Sequence, residues 1–241
     1  MTCFKPRAAA LALAALSGLA ANAAALEILP DAGPAVSFDG DGLIARFVQT
    51  DPNVFNPHSV ADAIAVLTQG LGAVSEIAQL APYVDFRDTN DGFGGASPGT
   101  DIVDPLAVQG FDHYAASYTG FLNVTQGGDY AFRLYGDDGF RFTLGGTPVF
   151  EFPTDTGAVT TTSTPVTLHA GLYSFALVSW EQGGVFVNEF SWQTPGDESF
   201  ALPGAGDAQL VFFSGNPVPV PAALPLLVSG LAGLAGLRRR S

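Results

Sequence analysis

Residues 114–192 are a dense series of short strand-like runs separated by tight turns. Phe is the main aromatic residue, and Gly, Pro, Asp and Thr are abundant, which suits short strands joined by turns. Gly145-Gly146 is a two-residue hairpin signal between two of the runs. Closely spaced strands of this kind predict an antiparallel β-sandwich. The predicted strands, including two upstream, cover residues 42–48, 83–86, 118–124, 130–135, 140–144, 147–150, 171–180 and 185–192.

Residues 59–80 break this β pattern. Ser59 can cap a helix, and apolar residues then recur at helical spacing. We expect Gly70 and Gly72 to divide the segment into two short helices. The sequence therefore predicts a mainly β protein with a short helical insertion. The helical pattern rests on Ile64, Leu67, Leu71, Val74, Ile77 and Ala78.

The N-terminus has the three parts of a secretory signal. Lys5 and Arg7 precede an apolar run over residues 8–19, and Ala21-Asn22-Ala23 is a small-x-small cleavage site. A permanent N-terminal membrane anchor is the alternative, but the apolar run is short for one. We predict a signal helix that is removed by cleavage between Ala23 and Ala24. The single cysteine, Cys3, lies inside this signal, so the mature chain has no disulfide and no thiol chemistry.

The C-terminus also has three parts. Val218-Pro219-Val220-Pro221 is followed by an uncharged stretch over residues 222–237 and then by Arg238-Arg239-Arg240. At ~1.5 Å per residue this stretch forms a helix of about 24 Å, slightly short of a ~30 Å hydrocarbon core. We predict a C-terminal transmembrane helix with its arginines in the cytoplasm. A buried C-terminal helix is the alternative.

This order of parts resembles the PEP-CTERM sorting tail of Gram-negative bacteria. The usual motif of that family is Val-Pro-Glu-Pro, and Val220 stands at the position of the glutamate. The resemblance implies recognition and cleavage near the Pro-rich motif by a membrane enzyme of the exosortase type. It also implies an exported protein that passes through an inner-membrane intermediate to the cell surface or extracellular matrix.

The chain between the two terminal segments is strongly acidic. Five of the nine basic residues lie in those segments, so four arginines remain against all 23 acidic residues. Such a surface repels nucleic acid and anionic lipid. It favours cations or neutral ligands such as sugars, although general acidity is also common among exported proteins. We divide the chain into a signal peptide (1–23), an N-terminal lead (24–39), a β-sandwich (40–216) and the sorting tail (217–241).

Three sequence runs carry a second resemblance. They are Tyr-Thr-Gly-Phe-Leu at 118–122, Gly-Asp-Tyr-Ala-Phe-Arg-Leu at 128–134 and Gly-Asp-Asp-Gly-Phe-Arg-Phe at 136–142. Together they resemble the protective-antigen-type (14 kDa) β-sandwich domain of bacterial toxins, glycosidases and fungal flocculins. The match extends over residues 40–213 and implies a jelly-roll-like sandwich. The segment 56–82 is an insertion relative to that family.

Asp137 and Asp138 are the best candidates for a binding site. Adjacent carboxylates repel each other unless a cation or hydrogen-bond donors offset their charge, and calcium accepts carboxylate and carbonyl oxygens. In flocculin-like members of the resembled family, the matching pair is joined by a cis peptide and holds a calcium ion that contacts a sugar. The resemblance therefore implies calcium ligands at Asp137 and Asp138. Glu181 is the anionic substitute in the loop where the family has an asparagine. A turn kept only for folding is the alternative.

Other polar groups give weaker signals. Asp88, Asn90 and Asp91 lie in a polar loop that lacks EF-hand spacing, and the three histidines have no partner at metal-ligand spacing. Several acidic residues could form an acid–base pair, although nothing in the sequence sets their distances. The serines at 179 and 191 lack a nucleophile-elbow context. The histidines are His58, His113 and His169, and the acids are Glu151, Glu181 and Glu189.

These observations favour a non-enzymatic protein. The first hypothesis is an exported carbohydrate-binding or adhesion module, with calcium as a possible cofactor and a glycan or exopolysaccharide as partner. The second is a structural protein of the cell envelope that packs against its partners without binding sugar. A secreted glycosidase is the third and least favoured hypothesis. The chain is barely longer than the binding-type domain, which leaves little length for a catalytic domain.

Overall fold

The described part of the protein is a two-sheet β-sandwich with one helix. The computed structural model describes residues 25–31, 33, 40–87, 102–103, 113–184, 186–203 and 208–212. The elements in chain order are β1 (Leu26–Ile28), β2 (Gly40–Asp41), β3 (Leu43–Thr50), α1 (Val60–Gln69), β4 (Ala73–Ala81), β5 (Asp85–Arg87), β6 (Ile102–Val103), β7 (Tyr114–Val124), β8 (Gly128–Asp137), β9 (Phe140–Leu144), β10 (Thr147–Phe152), β11 (Val159–Thr162), β12 (Val166–Leu168), β13 (Gly171–Glu181), β14 (Val187–Gln193) and β15 (Ala208–Phe212).

The two sheets have seven and eight strands. The smaller runs β1-β12-β8-β14-β5-β6, with β11 also on β8. The larger runs β10-β9-β13-β7-β15-β2, with β3 also on β7 and β4 on β3. Pairing is antiparallel except for β1 with β12 and β5 with β6. The antiparallel sandwich predicted from the sequence is confirmed, as is the Gly145-Gly146 hairpin between β9 and β10.

Aromatic side chains fill the space between the sheets. Every second residue of β8 and β13 is buried, as expected for strands with one face toward the core. The ring of Phe142 lies 4.9 Å from Phe190, 5.0 Å from Phe175 and 5.3 Å from Phe132, measured between centroids. Phe142 and Phe175 belong to the larger sheet and the other two to the smaller one, so these contacts join the sheets directly.

Helix α1 begins and ends at the residues that its sequence signals. The Ser59 side chain accepts a hydrogen bond from the backbone N–H of Asp62, and Gly70 ends the helix in the left-handed conformation. The buried stripe of α1 covers the outer face of the larger sheet and forms a second apolar cluster there with strand residues. The cluster contains Val48, Val60, Ala63, Val66, Leu67, Ala115 and Trp180.

The second predicted helix is wrong, because residues 73–81 form strand β4. Strand β4 pairs with β3 along its length. Ile77 and Ala81 lie on the face of β4 that is turned toward the core. A spacing of four residues places side chains on one face of a strand as well as on one side of a helix, so the two patterns look alike over a short run. Leu71 and Val74, which extended the helical pattern, are exposed.

Both predicted terminal segments lie outside the described residues. The same is true of the polar loop with Asp88, Asn90 and Asp91. Within the part of the chain that is described, no helix has the length and apolar character needed to cross a membrane. The signal peptide, the transmembrane helix and the sorting motif therefore remain predictions.

Candidate functional site

The candidate site lies at one end of the sandwich, where the chain crosses between the sheets. Strand β8 belongs to the smaller sheet and ends at Asp137, while β9 belongs to the larger sheet and begins at Phe140. Asp138 and Gly139 make the crossing. The backbone N–H of Asp138 donates to the carbonyl oxygen of Trp180 at 3.0 Å, which holds the crossing against the end of β13.

Three carboxylates converge at this crossing. Asp137, Asp138 and Glu181 each offer an oxygen atom, and these atoms lie within 4.8 Å of one another. All three side chains are buried, with 9%, 5% and 2% of their residue surfaces exposed. The peptide bond between Asp137 and Asp138 is cis, as the family resemblance implies. The structure thus brings together the three residues selected from the sequence.

The carboxylate oxygens fit a calcium ion by type and by spacing. Calcium binds oxygen ligands at about 2.3–2.6 Å, so two ligands of one ion are at most about 4.6–5.2 Å apart. The oxygen atoms of the three residues all lie within 4.8 Å of one another, so one ion can reach all of them. If a cation is bound, Asp137, Asp138 and Glu181 are the residues that would hold it. A hard cation would offset the repulsion between the buried carboxylates and offer positions to further oxygen ligands.

Asp138 is held by backbone donors from two loops. Its Oδ2 accepts from the N–H of Gln182 at 2.8 Å, and its Oδ1 accepts from the N–H of Thr156 at 3.1 Å. Burial raises the pKa of the Asp138 carboxyl, and the two backbone hydrogen bonds lower it in part. The negative charge of Asp155 adds to the rise. A nearby cation would favour the ionised carboxylate.

The loop after β13 closes around Glu181. The N–H of Gly183 donates to Oε1 of Glu181 at 2.7 Å. Gly183 and Gly184 have φ angles of 145° and 127°, a backbone region that residues with a Cβ rarely adopt. These two glycines therefore allow the chain to turn tightly enough for the loop backbone to reach the Glu181 carboxylate.

A buried tryptophan connects the site to the helix. Trp180 is fully buried beneath α1, and its indole Nε1–H donates to Oδ1 of Asp155 at 2.9 Å. The other oxygen of Asp155 contacts Nδ1 of His58 at 2.6 Å. A Cβ on Gly139 would lie 2.3 Å from the Trp180 ring, so only glycine fits at that point of the crossing. The Asp-Asp-Gly sequence thus has a packing role beside its carboxylates.

The segment before α1 is bound to the loops that surround the site. The side-chain Nδ2 of Asn56 donates to the carbonyl oxygen of Gln182 at 3.1 Å. Oδ1 of Asn56 is buried and has no hydrogen-bond partner among the described residues. With His58 bound to Asp155, the start of the insertion contacts both loops that donate hydrogen bonds to Asp138.

The other sequence candidates lie elsewhere. Glu151 pairs with Arg141 at 2.6 Å, and His169 pairs with Glu27 at 2.8 Å. Glu189 is buried on β14, where its backbone partner on β5 is Asp85. Ser179 accepts a hydrogen bond from Asn188 and Ser191 accepts one from Arg133, so neither serine is next to a histidine base in these contacts.

Sequence reasoning missed the residues that support the three carboxylates. Asn56 and Asp155 lie 126 and 25 positions from the residues they contact. Neither belongs to a local motif, so no sequence signal marked them. Trp180 was recognised as a strand residue, but its bond to Asp155 depends on a loop whose path the sequence does not reveal.

The comparison with protein families gives one match. The model of the PA14 domain family matches residues 106–203. No curated protein matches the chain. The matched range contains Asp137, Asp138 and Glu181, together with Asp155 and Trp180.

Solved structures with the same architecture cover most of the chain. The PA14 domain of an antifreeze protein has 18% identity and a TM-score of 0.53, over 73% of this chain and 93% of that chain. A PA14 sugar-binding domain from an RTX adhesin has 22% identity and a TM-score of 0.51, over 71% and 98%. The epithelial adhesin 9 A domain from Candida glabrata, in complex with Galβ1-3GlcNAc, has 15% identity and a TM-score of 0.52, over 78% and 99%.

These likenesses establish the fold and no more than the fold. The two sheets, their order and the crossing at Asp137 and Asp138 are features of the described residues themselves. The β-sandwich that the sequence resemblance implied is therefore confirmed. The chain is a mainly β protein with a PA14-like β-sandwich, in which residues 106–203 match the PA14 domain family.

Proposed function

We propose that this protein is an exported, non-enzymatic module that binds carbohydrate through a calcium ion at Asp137, Asp138 and Glu181. The observation that carries the proposal is the convergence of these three buried carboxylates within 4.8 Å at the end of a PA14-like sandwich. Buried carboxylates this close together repel one another unless a cation or hydrogen-bond donors offset their charge. Calcium supplies a positive charge and prefers oxygen ligands.

The proposed ligand is a neutral sugar. Calcium takes about six to eight oxygen ligands, so carboxylates from three residues leave positions for hydroxyl groups. The acidic chain, with a net charge of −14, repels anionic polymers and does not repel neutral glycans. Two proteins of similar fold are a sugar-binding domain of an adhesin and an adhesin domain in complex with a galactose-containing disaccharide. Their binding properties support the proposal for this chain by analogy of fold.

We further propose that the protein acts at the cell surface or in the extracellular matrix. The support comes from the secretory signal predicted to end at Ala23 and from the predicted sorting tail with Val218-Pro219-Val220-Pro221 and three terminal arginines. An exosortase-type enzyme is the proposed processing partner. Mass spectrometry of the envelope-associated protein tests this step. A form that begins at Ala24 and lacks Arg238–Arg240 is expected, while an intact C-terminus would exclude removal of the tail.

Calorimetric titration of the full chain with calcium tests the metal site. We expect binding by the wild-type protein and none by Asp138→Asn, because the substitution removes a carboxylate charge but keeps the side-chain shape. Glu198→Gln is the control, since Glu198 is exposed and lies outside the site. Equal binding by all three proteins would exclude the proposed ligand set.

A glycan array tests the sugar step separately. The wild-type protein is applied with calcium and again with an excess of chelator. Retention of neutral glycans that disappears with the chelator and with Asp138→Asn supports the proposal. Calcium binding without any retained glycan would instead favour a structural envelope protein. Release of soluble sugar from any retained glycan would contradict a non-enzymatic role.

A further inference from the structure

Strand β4 leaves a long edge of the larger sheet without a strand partner in the described part of the chain. It pairs with β3 on one side over residues 73–81. Soluble proteins guard such edges with Pro, Lys, short strands or bulges, because open N–H and C=O groups can pair with another chain. The sequence Ala-Val-Ser-Glu-Ile-Ala-Gln-Leu-Ala contains no Pro and no Lys. Its single register shift leaves Val74 between the pairs Thr50–Ala73 and Gln49–Ser75, and residues 75–81 pair with β3 without interruption.

Apolar side chains are exposed on β4 and in the turn before it. Leu71, Val74 and Leu80 are 42%, 59% and 51% exposed, and they are three of the six large apolar residues that are exposed in the described part of the chain. Leu80 lies on the same face of the regular part of the strand as Glu76 and Ala78. Val74 is the exposed residue at the register shift near the other end of the strand. An exposed edge that also carries apolar residues is a typical site of association.

The edge is also locally neutral, although the whole chain carries a net charge of −14. Glu76 is the single charged residue of β4, and Arg46 on β3 binds it through two hydrogen bonds of 2.6 and 2.8 Å. Two copies of an acidic protein repel each other over most of their surface. They repel least where a carboxylate is already paired with an arginine.

We propose that two copies of this chain associate edge to edge through β4, antiparallel, with Ile77 of each copy opposite Ile77 of the other. In this register Val74 lies opposite Leu80 of the second copy, and Glu76 lies opposite Ala78. Apolar residues then lie opposite apolar residues, and the two glutamates do not face each other directly. Like charges directly opposite each other would destabilise an antiparallel pair. The strand is self-complementary in this register, so one two-fold axis relates the copies.

Paired cysteines test the register. In the full chain with Cys3→Ser, which removes the only cysteine, Val74→Cys and Leu80→Cys are introduced singly and together. Directly opposite residues have Cα atoms about 4.5–5.5 Å apart, which suits a disulfide. Residues six positions apart along a strand are separated by about 20 Å, so neither single variant can cross-link to itself, nor the double variant within one chain. The oxidation is mild and is carried out in excess non-ionic detergent. The detergent keeps the apolar termini of different chains in separate micelles, so that they do not bring chains together.

We expect the double variant to form a reducible dimer in high yield. Each single variant should form less than about a tenth as much, because its two equivalent cysteines are too far apart for a disulfide. An equal yield from Val74→Cys alone would indicate parallel pairing or random collision and overturn the proposal. Absence of a dimer, or cross-linking to a different polypeptide, would do the same. In light scattering, Val74→Lys with Leu80→Lys should abolish the dimer, whereas the control Val54→Lys, at an exposed apolar residue outside β4, should retain it.

Discussion

The backbone N–H of Gln182 donates a hydrogen bond of 2.8 Å to Oδ2 of Asp138, and this bond joins the two loops that carry the candidate site. Asp138 lies in the crossing from β8 to β9, and Gln182 directly follows Glu181 at the end of β13. The same carboxylate accepts from Thr156 in a third loop. The geometry of the three carboxylates therefore depends on three separate loops being in place.

Glu181→Gln should weaken calcium binding at least about tenfold, which corresponds to about 1.4 kcal/mol. The amide keeps an oxygen near the site but removes one negative charge from the ligand set. Glu198→Gln makes the same chemical change at an exposed position outside the site and should leave the affinity unchanged. Calorimetric titration measures both. A similar loss in the two variants would indicate an effect of net charge and not of coordination.

In calcium-free protein, the contribution of Asp138 to stability should fall as the pH rises. Burial raises the pKa of its carboxyl above the ordinary value of 3.8, so between that value and the raised pKa the folded state binds more protons than the unfolded state. The free energy of unfolding then falls as the pH rises through this window. Calcium should reverse the loss, because it stabilises the ionised carboxylate.

Urea unfolding in the presence of chelator, from about pH 4 to about pH 7, measures this dependence. Asp138→Asn should gain stability relative to the wild-type protein as the pH rises, because the amide does not titrate. A constant difference between the two proteins at all pH values would contradict the role assigned to burial. The affinity for calcium should fall at low pH, where protons compete for the same oxygen atoms.

Asp155→Ala should destabilise the protein by about 1–3 kcal/mol, because it leaves the buried Trp180 N–H without its acceptor. Asp155→Asn keeps an oxygen for Trp180 and removes only the half-exposed contact with His58, so it should cost about 0–1 kcal/mol. Thermal and urea unfolding compare the two variants. If both lose the same amount, the contact with His58 is the important one.

Gly139→Ala should destabilise the fold by roughly 1–3 kcal/mol through overpacking. Its Cβ would lie 2.3 Å from the Trp180 ring and 2.7 Å from the carbonyl oxygen of Phe152. Gly157→Ala is the matched control, since a Cβ there meets nothing within 4 Å. Urea midpoints should separate the two variants clearly. Equal midpoints would mean that the crossing can move away from Trp180 at little cost.

Asn56→Ala should lower calcium affinity by a fewfold while costing only about 1 kcal/mol of stability. The substitution removes the hydrogen bond to the Gln182 carbonyl and so loosens the loop that carries Glu181. Asn53→Ala, which removes an exposed amide bound to Asp51 in the same segment, is the control. An unchanged affinity in Asn56→Ala would show that the insertion packs beside the site without positioning it.

The elements predicted correctly were those with local signals. Alternating runs identified the strands, and Ser59 with Gly70 marked the two ends of α1. Strand β4 was missed because Val74 and Ala78 of the helical pattern are separated by four residues, a spacing that satisfies both a strand and a helix. Pairing with β3 decided between them, and that pairing depends on residues about 30 positions away.

The sequence by itself determined the repeating strands, the helix caps and the adjacent carboxylates Asp137 and Asp138, because each depends on neighbours within a few residues. Only the tertiary structure decided that Glu181 lies beside this pair, that Trp180 binds Asp155 and that Asn56 reaches the loop of Gln182. The physical reason is that packing between the sheets and beneath α1 sets the paths of the loops. Sequence periodicity reports which face of an element is buried, but not which distant residues that face will meet.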